Sequence, residues 1–107
     1  MDLESLSIVF CSDEYLLHIN KEYLKHDYYT DIITFDYSVT PRTIVGEMYI
    51  SVTRVKDNAK SFGTTFQREL YRVIFHGLLH LCGYKDKTPA SSNEMRRKEE
   101  HYLGLYF

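Results

Sequence analysis

The chain has 107 residues, with 13 Lys plus Arg against 15 Asp plus Glu and a formal charge of -2. That length suits one domain with one core, and the near-neutral balance excludes a globally cationic binder of polyanions, so any such affinity has to come from a local patch. Ten Tyr and six Phe in a chain that is 44% hydrophobic favour an ordered globule over a disordered segment.

Leu6-Ser7-Ile8-Val9-Phe10-Cys11 is apolar and β-branched and reads as a buried strand. Ser12 or Asp13 then caps a helix to about Lys25, with Tyr15, Leu16, Ile19, Tyr23 and Leu24 as its apolar stripe. Strand, helix and strand in succession suggest a parallel crossover. His26 to Asp31 form a polar, aromatic loop, Ile32 to Tyr37 a second strand, and Ser38 to Val45 an exposed connection containing Pro41 and Arg42. Gly46 to Ile50 reads as a third strand, close enough in sequence to pair antiparallel with the second.

Ser51 or Thr53 caps the next helix to about Ser61, with Val52, Val55 and Ala59 inward and Arg54, Lys56 and Lys60 toward water; Phe62-Gly63 breaks it. Thr64 and Gln67 form a capping box for a helix running to about Cys82. Its apolar face, formed by Phe66, Leu70, Val73, Ile74, Gly77, Leu78 and Leu81, is broad enough to make it central. Thr88-Pro89 opens a last, charged helix to about Tyr102, on which Arg96-Arg97-Lys98 alternates with Glu94, Glu99 and Glu100. That run reads first as a solvated face and second as a nucleic-acid contact. The fold class is α+β: a single small domain, a mixed sheet of about three to four strands packed with helices, and a site on the central helix and its following turn.

His76 and His80 lie four residues apart on that helix, on one face and roughly 6 Å apart along the axis, so both imidazoles can reach one ion. The spacing alone is a weak motif; its context strengthens it. Gly83 stands where a left-handed residue ends a helix, and the reversal can deliver Asp86 as a third ligand. Two imidazoles and a carboxylate suit zinc and leave the fourth tetrahedral position open, as catalysis requires. In His-Glu-x-x-His metalloproteases a Glu follows the first His, but here it is Gly77, so proton transfer must use another group. A residue without a side chain there also lets something large approach the helix. Cys11 and Cys82 read as reduced, buried thiols, in no Cys-x-x-Cys pair. Met1-Asp2-Leu3-Glu4 has no basic region and Leu6 to Cys11 is too short for a signal peptide or membrane span, so a cytoplasmic protein without a membrane partner is expected.

Taken together, these residues resemble the YbeY family of bacterial ribosome-maturation endoribonucleases. Its signature looks like His-Gly-x-Leu-His-Leu-x-Gly-Tyr-Asp-His, matched here by His76, Gly77, Leu79, His80, Leu81, Gly83 and Tyr84. A second family stretch is echoed by Asn20, Tyr23, Asp27, Thr30, Asp31 and Phe35, and Gly46-Glu47 stands where the family has Gly-Asp. The resemblance covers nearly the whole chain and implies a single YbeY-like metal-dependent hydrolase domain over residues 1–107. It further implies a zinc-dependent endoribonuclease of ribosomal RNA maturation and ribosome biogenesis, in which a metal-bound water attacks an RNA phosphodiester. One Zn2+ per chain would sit on His76, His80 and Asp86, the last aligned with the family's third histidine. The general base stays unassigned.

The implied partners are single-stranded ribosomal RNA and a ribosomal subunit or its assembly proteins. A family arginine aligns with Leu24, which makes Lys25 and Arg42 the candidates for phosphate contact, and a family proline aligns with Tyr29. Tyr28 and Tyr29 are candidates for stacking on an unpaired base, against a simpler role as packing caps. Family members usually begin with another helix and strand before the segment at Leu6, so this is a compact member or that portion is missing. Two alternatives stay open: a non-catalytic zinc-containing assembly factor that binds RNA or the ribosome, and a small metallopeptidase.

Overall fold

Residues 2–27, 29–40 and 42–105 are described by a computed structural model of the chain. The elements follow in the order β1 (Asp2–Cys11), α1 (Asp13–Tyr23), β2 (Ile32–Asp36), β3 (Thr43–Ser51), α2 (Val52–Phe62), α3 (Phe66–Leu81) and α4 (Pro89–Gly104). The three strands form one mixed sheet in the order β1-β3-β2, with β1 parallel and β2 antiparallel to β3. The expected parallel crossover therefore ends on the third strand, not on the strand that follows α1. Chain from α1 passes to the far edge of the sheet, and the hairpin-like return places β3 in the middle.

Strict alternation on β3 accounts for both layers. Ile44, Gly46, Met48 and Ile50 are buried, and the three side chains join Leu81, Val55 and Val73 on the side covered by α2 and α3. Tyr49 points the other way and joins Ile33, Phe35, Leu16 and Ile19 under α1. Two glycines set how closely α3 lies on the sheet. A Cβ on Gly77 would come within 2.8 Å of Ile32 Cδ1 and 2.9 Å of Met48 Sδ, and one on Gly46 within 2.9 Å of Leu81 Cδ1. The bare face of Gly77 thus serves the core and not an incoming molecule.

Caps follow the sequence with one shift: Ser12, Ser51 and Thr88 cap α1, α2 and α4, but α3 starts one residue late, with Thr65 accepting from the Arg68 N–H. Thr64 instead gives its N–H to the Ala59 carbonyl and helps close α2, whose end is the left-handed Gly63. Arg54 does not simply face water; its Nη2 lies 2.7 Å from Asp13 Oδ2, tying α2 to the start of α1.

Three burial expectations are corrected. β1 is longer than the apolar run and lies at a sheet edge; α1 and α3 lie over the other two strands, so Leu3 and Phe10 stay 59% and 54% exposed while Leu6 and Cys11 reach the core margins. Both cysteines are free thiols, but Cys82 is exposed because the C-cap of α3 turns it outward. Tyr15 and Tyr23 of the α1 stripe are likewise exposed, leaving Leu16 and Ile19 as its buried anchors. Among the described residues no helix is long and apolar enough to cross a membrane.

Candidate metal centre

His76 and His80 occupy consecutive turns of α3, with ring centroids 4.6 Å apart. The helix stops because Gly83 takes φ +99, and its N–H bonds the His80 carbonyl while the Tyr84 N–H bonds that of Leu79, each at 3.0 Å. This reversal folds the next residues back over the last turn, and Asp86 arrives beside the imidazoles. His76 Nε2 and His80 Nε2 are 3.0 Å apart, and Asp86 Oδ2 lies 3.3 Å from each. Donors bound at 2.0–2.1 Å around a tetrahedral ion are about 3.3 Å apart, so the triangle matches one face of such a tetrahedron. Two facing imidazole nitrogens and a carboxylate oxygen within 4.8 Å of one another form a donor set that fits a divalent cation.

The other side of His76 is held just as firmly. Its Nδ1 lies 2.5 Å from Glu99 Oε2 on α4, and the other Glu99 oxygen accepts from Arg72 Nη1 at 2.9 Å. Arg72 also grips Glu69 with two bonds of 2.8 and 2.6 Å, and its Nη2 is 3.8 Å from Asp31 Oδ2. Glu69 and Glu99 are only 2% and 1% exposed, so they depend on these partners. The hydrogen bonds that Arg72 donates, to Glu69 above all and then to Glu99, hold its guanidinium well above its usual pKa despite burial. Burial alone would raise the Glu99 carboxyl, but hydrogen bonds with His76 and Arg72 outweigh it and bring it below the ordinary range. Asp31 goes the other way: burial raises it, and the charges of Arg72 and His76 offset this only in part.

A cavity of about 390 Å³ opens over the imidazoles and Asp86, walled also by Asn20, Leu24, Thr30, Asp31 and Thr34. Leu24, aligned with the family arginine, is thus at the cavity wall. Lys25 is exposed in a left-handed conformation (φ +57) beside it and is not among the lining residues. Tyr29 is engaged elsewhere: its hydroxyl donates to Glu14 at 3.2 Å and its ring lies 5.2 Å from the Arg54 guanidinium carbon. Arg42 is exposed in the turn before β3, and Tyr28 falls outside the described residues. Glu69, Arg72 and Glu99 were not singled out from the sequence. A signal for Glu99 existed, since it falls midway between Met95 and Leu103 at four-residue spacing and shares their buried face.

The fold and donor cluster define a small α+β protein with a candidate metal centre built from two helical histidines and a turn aspartate, backed by a carboxylate on the first histidine. Residues 1–106 match the family model "Endoribonuclease YbeY". The chain belongs to the YbeY family. It is 54% identical over 101 residues to the endoribonuclease YbeY of Christiangramia forsetii and 56% identical over 100 residues to that of Cytophaga hutchinsonii. Each alignment covers 94% of this chain and 70% of the relative. The solution structure of TM1509 from Thermotoga maritima superposes with a TM-score of 0.65 at 31% identity, covering 92% of this chain and 65% of that one. The chain therefore spans just under two thirds of that solved protein.

Proposed function

We propose that this chain is a zinc-dependent endoribonuclease of ribosomal RNA maturation, acting in the cytoplasm on single-stranded RNA presented by a ribosomal subunit or its assembly proteins. Family membership supports the reaction class. The observation that carries the metal is the triangle of donor atoms with edges of 3.0 and 3.3 Å at the positions of the family signature. His76, His80 and Asp86 would hold one Zn2+. When bound, zinc supplies Lewis acidity, lowering the pKa of a water and polarising a phosphoryl oxygen.

The chain's own groups do the rest. Glu99 accepts a hydrogen bond from His76 Nδ1–H, which fixes the tautomer that offers Nε2 to an ion, and Arg72 keeps Glu99 from turning away. Asn20, Thr30 and Thr34 give the cavity wall hydrogen-bonding side chains suited to phosphate or ribose oxygens.

The test is elemental analysis of untagged protein purified without chelator, beside His80→Ala, followed by cleavage of single-stranded and duplex RNA. About one zinc per chain and single-strand cleavage, both lost in the variant, are expected. No zinc in the parent after metal is supplied and excess removed overturns the mechanism. A second reading, a zinc-containing assembly factor without chemistry, is favoured by Leu24 at the cavity wall, where the family has an arginine. Zinc-loaded protein that binds RNA and leaves it intact supports that reading. A metallopeptidase is disfavoured, because position 77 faces Ile32 and Met48 in the core.

A further inference from the structure

We propose that Asp31 is the catalytic residue that takes the proton from the attacking water. The inference rests on the reading of the chain as a metal-dependent endoribonuclease and fills the role that reading leaves open. Asp31 immediately precedes β2 and lines the same cavity as His76, His80 and Asp86. With Asp86 committed to the ligand set, Asp31 supplies the remaining carboxylate among the described lining residues. The other two acids nearby are spent: Glu69 and Glu99 are buried and bonded to Arg72, and Glu99 also to His76.

Asp31 is also held in place. Its carbonyl accepts the Ser51 N–H at 3.0 Å, which pins the residue to the end of β3. Its Oδ2 lies 3.5 Å from Asn58 Nδ2 on α2 and 3.8 Å from Arg72 Nη2 on α3. Both of these side-chain contacts engage Oδ2, and a backbone N–H adds a further hydrogen bond to the carboxylate. Arg72 sits much closer to Glu69 and Glu99 than to Asp31, so it orients this carboxylate without neutralising it as it does the other two.

On α3, Arg72 and His76 favour the ionised form of Asp31 and Glu69 opposes it; His26, His80 and Asp86 stand around the same cavity, α2 contributes the neutral Asn58, and Glu99 of α4 acts at one remove through Arg72. Burial is the strongest influence and makes Asp31 a better proton acceptor than an exposed aspartate. In the step, the water oxygen bonds to phosphorus and the bond from phosphorus to the leaving ribose oxygen breaks, its electron pair staying on that oxygen. One water proton passes to the Asp31 carboxylate and is returned to the leaving oxygen; the other stays on the new phosphate until solvent removes it.

The experiment compares parent, Asp31→Asn and Asp31→Glu, each loaded with zinc, for metal content, binding of a single-stranded RNA oligonucleotide, and kcat against pH. In the metal-free parent, the Asp31 carboxyl is titrated by 13C NMR, its signal assigned by its loss in D31N. Expected are unchanged zinc and RNA binding, a kcat in D31N lower by about 100-fold or more with the acidic limb of its profile gone, partial recovery in D31E, and a carboxyl midpoint above that of an ordinary aspartate. Zinc-loaded D31N that cleaves within about threefold of an active parent overturns the assignment alone. So does D31N that loses zinc, or a carboxyl midpoint at or below the ordinary value. A zinc-loaded parent that cleaves no RNA overturns the underlying hydrolase reading, and this assignment with it.

Discussion

Glu99→Gln tests the coupling between the buried polar network and the metal centre. The substitution keeps the side-chain shape and removes one charge from a residue that is 1% exposed. Glutamine then has to satisfy two donors, Arg72 Nη1 at 2.9 Å and the N–H of His76 Nδ1, with a single oxygen. If the oxygen stays with Arg72, the new NH2 faces Nδ1, which must accept. The imidazole proton then moves to Nε2, the nitrogen that points at His80 and Asp86, and blocks it as a ligand. With the amide reversed, its NH2 meets the Arg72 guanidinium. Either way His76 loses its carboxylate support, and zinc affinity falls by about 10–100-fold, or about 1.4–2.7 kcal/mol. Competition against a chromophoric chelator reads this directly. Arg72 keeps its two bonds to Glu69, so the variant folds, and a thermal melt verifies it. A zinc Kd in E99Q within about threefold of the parent refutes the reasoning that Glu99 sets the His76 tautomer.

Other perturbations separate backbone, packing and charge. Gly83→Ala meets no atom within 4 Å but must adopt φ +99, so it lowers stability by about 1–2 kcal/mol and weakens zinc binding by displacing Asp86; denaturant melts and the chelator assay check both. Gly77→Glu, which would recreate the metalloprotease spacing, drives a carboxylate against Ile32 and Met48; it costs more than about 3 kcal/mol and yields insoluble or unfolded protein by circular dichroism, with no peptidase activity. Asp31 has a raised folded-state pKa, so the folded chain holds this proton more tightly than the unfolded one. The contribution of Asp31 is then most favourable below its unfolded pKa and is lost as pH rises through the higher folded value. The melting temperature of D31N minus that of the parent should therefore rise with pH across the carboxylate range, and a flat or falling difference contradicts the raised pKa.

The residues of the candidate centre were legible because local rules place them. Four-residue spacing puts His76 and His80 on one helical face, Gly83 reverses the chain, and three residues later Asp86 is within reach, none of which needs knowledge of distant contacts. The caps Ser12, Ser51 and Thr88, the alternation of β3 and the α+β class were readable for the same reason. Tertiary structure decided the rest. The position of β3 between the other strands depends on pairings across 30 or more residues, as between Cys11 and Ser51, and it left β1 at an exposed edge despite its apolar sequence. Glu99 looked like one charge in a solvated helix until α4 packed on α3 and buried it against Arg72 and His76. Likewise Asp31 joined the cavity only when the start of β2 met α3. Ligand spacing within one helix and its turn is a property of local geometry, whereas what a carboxylate is buried against depends on which elements the fold brings together.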